Sequence, residues 1–361
     1  MRKGMEEYVM KKLNKLMSVA MSAAMVMSLA ACGSTTEESA APADTATETK
    51  TETKTETKTE TAATDSDKVY QIGILQQLEH PALDAASEGF EAALTELLGA
   101  EHVKFDLQNA QGEQANCATI SNNFVAGNYD LILANATTAL QCAGAATSTI
   151  PILGTSITDY ATALEIDDWT GATGRNISGT SDLAPIAEQE KMLAELFPDA
   201  KTVGILYCSA EPNSKYQATE FEKALDADNI SYKEYTAADS NDIASVVQTA
   251  VTEVDVIYIP TDNTMAGNTE TINNITLPAG IPVIAGEEGI CKGCGIATLS
   301  ISYYDIGYKA GEMAYDILVN GADITTMNIE YAPQVTKEYN ASIAEQLGVT
   351  IPDGYTAIAA E

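Results

Sequence analysis

Seven short polar stretches hold the side chains with chemical potential, and each follows a run of apolar residues. They are Gln76-Gln77-Leu78-Glu79-His80, Asn109-Ala110-Gln111-Gly112, Asn135-Ala136-Thr137-Thr138, Gly154-Thr155-Ser156, Ser209 to Ser214, Thr261-Asp262-Asn263-Thr264 and Gly286-Glu287-Glu288. Most also stand just ahead of a helical pattern. Backbone N–H groups at a helix start lack partners within the helix and can hold a carboxylate, helped by a Ser or Thr hydroxyl. Asp262 and Glu287 are suited to an ammonium group through charge-assisted hydrogen bonds. Taken singly, each Thr, Ser, Asn or Asp is an ordinary helix N-cap. As a set spread over two halves of the chain, they point to a cleft for a small polar ligand.

Catalysis is poorly provided for. The sequence has no Gly-x-Ser-x-Gly elbow, no Walker loop and no His-Glu-x-x-His. Its 2 histidines are His80 and His102, and neither is placed to serve Ser156 or Ser214 in a hydrolase. Cys291-Lys292-Gly293-Cys294 raises zinc and redox readings. Zinc needs four ligands, and Cys117, Cys142 and Cys208 are scattered through other elements. A thioredoxin-like pair needs a helix start directly after it, whereas Gly295 leads into an apparent strand. The expectation is therefore a turn disulfide or two free thiols, with no metal and no cofactor. His80 either pre-sets the extended turn before Pro81 or forms a polar wall of the cleft. Tyr160, Tyr207 and Tyr304 are candidates to stack on an aromatic ligand. Arg175 is expected to be a hinge residue, a partner of a surface acid, or a reach toward a ligand carboxylate.

The chain has 361 residues with 52 acidic and 19 basic side chains, a formal net charge of −33. From Val69 onward 41 acids face 10 bases, so the acidity belongs to the folded part. That argues against nucleic acid and polyanionic substrates, since phosphate binding draws on clustered Lys and Arg.

The elements that must carry these residues alternate. Tyr70 to Leu75 reads as a strand, and Leu83, Ala86, Phe90, Ala93, Leu94 and Leu97 then recur at helical steps. Strands at 103–107, 130–134 and 150–154 are separated by helices near 116–126 and 138–148. Residues 159–181 read as a connecting loop. The rhythm restarts with helices near 185–196, 214–226 and 242–251 and strands at 202–207, 231–235, 255–259 and 281–285. A long helix at 304–320 and a short one near 340–347 close the chain. This order predicts an α/β protein of two Rossmann-like lobes, with parallel sheets and right-handed crossovers.

The first residues are address and tether. Lys11, Lys12 and Lys15 precede an apolar run from Leu16 to Ala31, about as long as an export signal and short for a bilayer span. Met10 makes a better start for such a signal than Met1. Leu29-Ala30-Ala31-Cys32 resembles the lipobox of bacterial lipoproteins, which implies acylation of Cys32 and a signal peptide over residues 1–31. Residues 32–68 form a spacer with three Thr-Glu-Thr-Lys repeats and too few large hydrophobes to fold.

Gln77-Leu78-Glu79-His80-Pro81-Ala82-Leu83-Asp84 with Gly89-Phe90 resembles the opening motif of an ABC-transporter substrate-binding protein family of the tryptophan/tyrosine type. The likeness continues through Gly154-Thr155-Ser156-Ile157-Thr158-Asp159, Ile177-Ser178-Gly179-Thr180-Ser181-Asp182, Tyr258-Ile259-Pro260-Thr261-Asp262-Asn263 and Tyr303-Tyr304-Asp305-Ile306-Gly307. It implies a type I periplasmic-binding fold with a three-segment hinge. Residues 69–180 with 300–332 would form one lobe, and 181–299 with 333–361 the other. It implies an extracytoplasmic, lipid-anchored monomer with permease and ATPase partners, capturing an aromatic L-amino acid. Carried over by position, its ligand-binding residues are Gln77, Glu79, His80, Thr137, Thr155 and Ser156 from the first lobe. The second lobe adds Asn213, Ser214, Asp262, Asn263 and Glu287. A sugar, a nucleoside or another amino acid is the alternative ligand, and a secreted hydrolase or sensor ectodomain the alternative class.

Overall fold

The structure, a computed structural model, describes residues 68–359. The signal segment, Cys32 and the spacer through residue 67 lie outside the described residues.

The first sheet is built by β1 (Tyr70–Gln76), β2 (Val103–Asn109), β3 (Leu131–Asn135), β4 (Ile152–Ile157) and β5 (Ile177–Ser181). Connecting them are α1 (Pro81–Leu98), α2 (Gln114–Ala126), α3 (Thr137–Ala146) and the single turn α4 (Tyr160–Ala163). The second sheet takes up β6 (Thr202–Cys208), β7 (Ser231–Ala237), β8 (Val256–Ile259), β9 (Val283–Ala285) and β10 (Ala297–Ser300). Its helices are α5 (Ile186–Leu196), α6 (Pro212–Asp228), α7 (Ile243–Ala250), α8 (Asn263–Ala266), α9 (Thr269–Ala279) and α10 (Glu288–Gly293). The chain then returns to the first lobe as α11 (Tyr303–Leu318) and β11 (Glu330–Tyr331). It ends in the second with β12 (Thr336–Tyr339), α12 (Ala341–Leu347) and β13 (Thr356–Ala357).

The strand orders are β11-β5-β4-β3-β1-β2 and β13-β12-β10-β9-β8-β6-β7. The first sheet is parallel throughout, and in the second only the β10–β12 pairing is antiparallel. Three crossovers join the lobes, after β5, after β10 and between β11 and β12. In each sheet the order reverses beside the first strand, at β1/β3 and at β6/β8. Open parallel sheets bind ligands at the carboxyl ends beside such switch points.

Local sequence explains the main elements. His80 is extended and Pro81 opens α1, where its missing N–H costs nothing. Leu83, Ala86, Phe90, Ala93 and Leu94 bury one face of that helix. Ser302 caps α11 by accepting from Asp305 N. The two helices pack through glycines: a Cβ on Gly307 would lie 2.0 Å from Ala86 O, and one on Gly89 2.1 Å from Tyr304 O. Such contact holds the returning chain against the first lobe. In the second lobe Phe221 stacks on Tyr258 with ring centroids 3.7 Å apart.

Two departures from the sequence expectation stand out. Residues 177–181, read as loop, form β5, buried between β4 and β11. Its polar composition conceals a strand whose hydroxyls are all occupied. Ser178 Oγ donates to Met327 O, Thr180 Oγ1 to Thr155 Oγ1 and Ser181 Oγ to Thr158 O. The second is Cys291, which sits inside α10 with Cys294 as its C-cap, so the pair lies on a helix end and not in an open turn. Both are free thiols.

Candidate functional site

At the first switch point, Gln77 follows β1 and its Oε1 accepts from Thr138 N at 3.1 Å, tying the strand end to the first turn of α3. Ahead of α3, Ala136 has φ 89 and ψ 161, a conformation ordinarily left to glycine. At the end of β4, Ser156 has φ 58. Two neighbouring strand ends thus hold strained backbone, a pattern that clusters at ligand sites.

The second lobe presents a carboxylate-centred hub. Glu211, just before α6, accepts from Asn263 Nδ2 at 2.7 Å, Thr264 Oγ1 at 2.7 Å and the backbone amides of Asn263 and Thr264. Asp262 caps α8: Oδ1 accepts from Met265 N at 2.8 Å and Oδ2 from Cys208 N at 2.6 Å. Burial first, then the charge of Glu211, pushes its carboxyl well above the ordinary carboxylate range. Both oxygens serve the backbone, so Asp262 acts as the brace between β6 and α8. Glu287 likewise caps α10 through Gly289 N and Ile290 N, and burial lifts it to about 7.

The lobes meet. His80 Nε2 lies 3.1 Å from Asn263 Oδ1, and Gln217 Nε2 donates to Thr158 Oγ1 at 3.3 Å. Burial holds the His80 ring below its usual pKa, opposed by Asn263 and by the charges of Glu211 and Asp84. A neutral ring therefore spans the gap at neutral pH.

Sequence reasoning passed over the centre of this contact. Asp182, on the first crossover, accepts from Thr158 Oγ1 at 3.0 Å and from Tyr303 Oη, on the second crossover, at 2.9 Å. It is 4% exposed, and burial raises its carboxyl to about 6. The charge of Asp182 adds to what raises Glu287, and both raise the Tyr303 phenol. Gln217 completes the cluster, its Oε1 accepting from Thr261 Oγ1 at 2.8 Å. The available signal was Asp182 immediately after a buried strand, but that strand was read as loop.

The structure gathers Gln77, His80, Thr137, Thr155, Ser156, Asn213, Ser214, Asp262, Asn263 and Glu287 as buried or nearly buried groups at strand carboxyl ends. Glu79 is the exposed member, next to the buried His80. Three buried polar atoms in the set have no protein partner: His80 Nδ1, Ser156 Oγ and Asn213 Oδ1. The aromatic candidates lie elsewhere. Tyr160 is a core residue donating to Thr180 O, Tyr207 packs in the second core with its hydroxyl on Glu234, and Tyr304 is exposed beside Tyr308. Arg175 is neither hinge nor cleft residue: it precedes β5, at the amino end of a parallel strand, and donates to Leu164 O. A cavity of about 350 Å³ opens beside the hinge, lined by both lobes and including Pro81, Ala85, Glu287, Tyr303 and Glu338.

Residues 71–361 match the family of ABC transporter substrate-binding proteins. The chain belongs to that family. A tyrosine-binding protein of Clostridioides difficile (strain R20291) is 35% identical over 271 residues, 73% of this chain and 78% of the relative. The crystal structure of a Streptococcus pneumonia ABC domain in complex with L-Trp superposes with a TM-score of 0.77 at 31% identity, covering 80% of this chain and 100% of the other. A ligand-free, open substrate-binding protein with adhesive properties from Clostridium difficile gives 0.62 at 34% identity, covering 81% and 100%. The fold of this substrate-binding protein is thus the type I periplasmic-binding fold expected from its sequence. The hydrogen bonds His80–Asn263 and Gln217–Thr158 join its two lobes across the cleft.

Proposed function

We propose that this substrate-binding protein is the extracytoplasmic, lipid-anchored receptor of an ABC importer and captures an aromatic L-amino acid between its lobes. One observation carries the amino-acid reading. Asp182 is a buried carboxylate that accepts from the hydroxyls of Thr158 and Tyr303, and its charge adds to what raises the buried Glu287, which accepts from the amides of Gly289 and Ile290. An ammonium group entering there would restore the charge balance that burial disturbs. The ligand carboxylate would lie against the amino end of α3, where Thr137 starts the helix, with Ser156 Oγ as a further donor. Asp182, whose oxygens accept the hydroxyls of Thr158 and Tyr303, takes the place of Asp262 as the direct ammonium partner, with the charge of Glu287 nearby. Aromatic preference is supported by the tyrosine-binding and L-Trp-bound relatives. Anchoring through Cys32 and delivery to permease and ATPase subunits complete the proposal, and the acidic surface fits a receptor that handles no nucleic acid.

A thermal-shift panel of the twenty L-amino acids, common sugars and nucleosides tests it. A bound amino acid at a hundred times its dissociation constant should add about 2.7 kcal/mol of stability. Shifts with Trp, Tyr or Phe are expected. A panel in which sugars or nucleosides shift the melting point and no amino acid does would end the amino-acid reading.

A further inference from the structure

The sequence drew attention to Cys291 and Cys294, yet the structure brings together a different pair. Cys117 on α2 and Cys142 on α3 belong to one apolar cluster, and each thiol shifts the ionisation of the other. Cys142 Sγ also lies 3.8 Å from Gln114 O, one turn before Cys117 on the same helix. An open groove of about 520 Å³ runs between the two helices, walled by Ala115, Ala118, Ala145 and Ala146, and Cys142 lines it. Cys142 is 8% exposed and Cys117 is fully buried behind it. The geometry is that of one thiol at a groove and a second at its back.

We propose that Cys117 and Cys142 form an internal disulfide by thiol–disulfide exchange with a small disulfide oxidant, Cys142 attacking and Cys117 resolving. In the first step the Cys142 thiolate attacks one sulfur of the oxidant, forming a mixed disulfide and expelling one thiolate. In the second, the Cys117 sulfur attacks Cys142 Sγ, the mixed bond breaks, and the second half of the oxidant leaves as a thiol. The two cysteines lose two protons and two electrons, and the oxidant is reduced to two thiols. The neighbouring Cys117 lowers the Cys142 thiol from its ordinary range, while Cys142 and burial raise Cys117, which favours Cys142 as the attacking sulfur. The product staples α2 to α3, and the amino end of α3 carries Thr137 and Thr138 at the cleft.

The test treats the native full chain with oxidised glutathione and maps its peptides, which separates these cysteines from Cys32. The expected product links the Cys117 and Cys142 peptides, leaves Cys208, Cys291 and Cys294 free, and raises the melting temperature by about 5 °C, reversed by dithiothreitol. Cys117→Ser should retain glutathione on Cys142, whereas Cys142→Ser should leave Cys117 unmodified. A stable glutathione adduct on the wild-type chain, attack at Cys117 in Cys142→Ser, or a crosslink that forms only in denaturant would overturn the assignment.

Discussion

Replacing Asp182 by Asn separates a ligand-binding role from a hinge-holding one. The folded protein holds this carboxyl at about 6, against 3.8 ordinarily, because burial outweighs the hydrogen bonds from Tyr303 and Thr158. Below pH 3.8 the group is neutral in both folded and unfolded chains, and its full contribution to stability is present. Between 3.8 and about 6 the unfolded chain ionises first, so stability falls, and above about 6 the loss is complete. That loss amounts to about 3 kcal/mol. Asp182→Asn removes the ionisation but must turn one hydroxyl around to meet the amide, so the ligand-free protein should gain about 1–3 kcal/mol at pH 7.5. Binding should move the other way. A charge-assisted hydrogen bond is worth about 1.5–3 kcal/mol, so the amino acid should bind about 10- to 150-fold more weakly. Its deaminated analogue should bind with little change. For the wild type, the dissociation constant of the amino acid should rise as pH falls through about 6, and the variant should lose that component. Calorimetric unfolding and isothermal titration with both ligands supply the numbers. If the variant is destabilised and both ligands weaken equally, Asp182 only fastens the crossovers and the ammonium assignment is wrong.

Glu211→Gln leaves an amide NH₂ facing donors at Asn263 and Thr264, and should cost about 2–4 kcal/mol in urea unfolding; a loss below about 0.5 kcal/mol would show that the hub is dispensable. Gly307→Ala forces a methyl against Ala86 O and should destabilise by about 1–3 kcal/mol, read as a lower melting temperature. An unchanged melting temperature would mean that α1 and α11 can part without consequence.

Most of the fold was legible because period is local. The strand at 70–76 and the helix over 81–98 display their buried faces in the order of their residues, and parallel alternation follows from that order. Polar β5 was missed because a strand that satisfies its hydroxyls with neighbouring carbonyls looks like a loop until the neighbours are known. The short α8 and α10 were missed because each begins with its acidic cap, Asp262 or Glu287, followed by too few residues to show a period. The same caps constrain the site, because backbone amides a turn later already donate to the carboxylates of Asp262 and Glu287.

By itself, the sequence determined that two α/β lobes would form and that short polar residues would gather at their strand ends. It also set the excess of 52 acidic over 19 basic side chains. Tertiary structure alone decided how each buried carboxylate is satisfied, since that depends on hydrogen-bond donors far away in the chain. Thr158 and Tyr303 reach Asp182 across 24 and 121 residues, whereas Cys208 reaches Asp262 across 54. It also decided which cysteines meet, because two helices must pack before Cys117 finds Cys142. Spacing along a chain reports neighbours within an element; contact between elements is set by burial and packing of the whole.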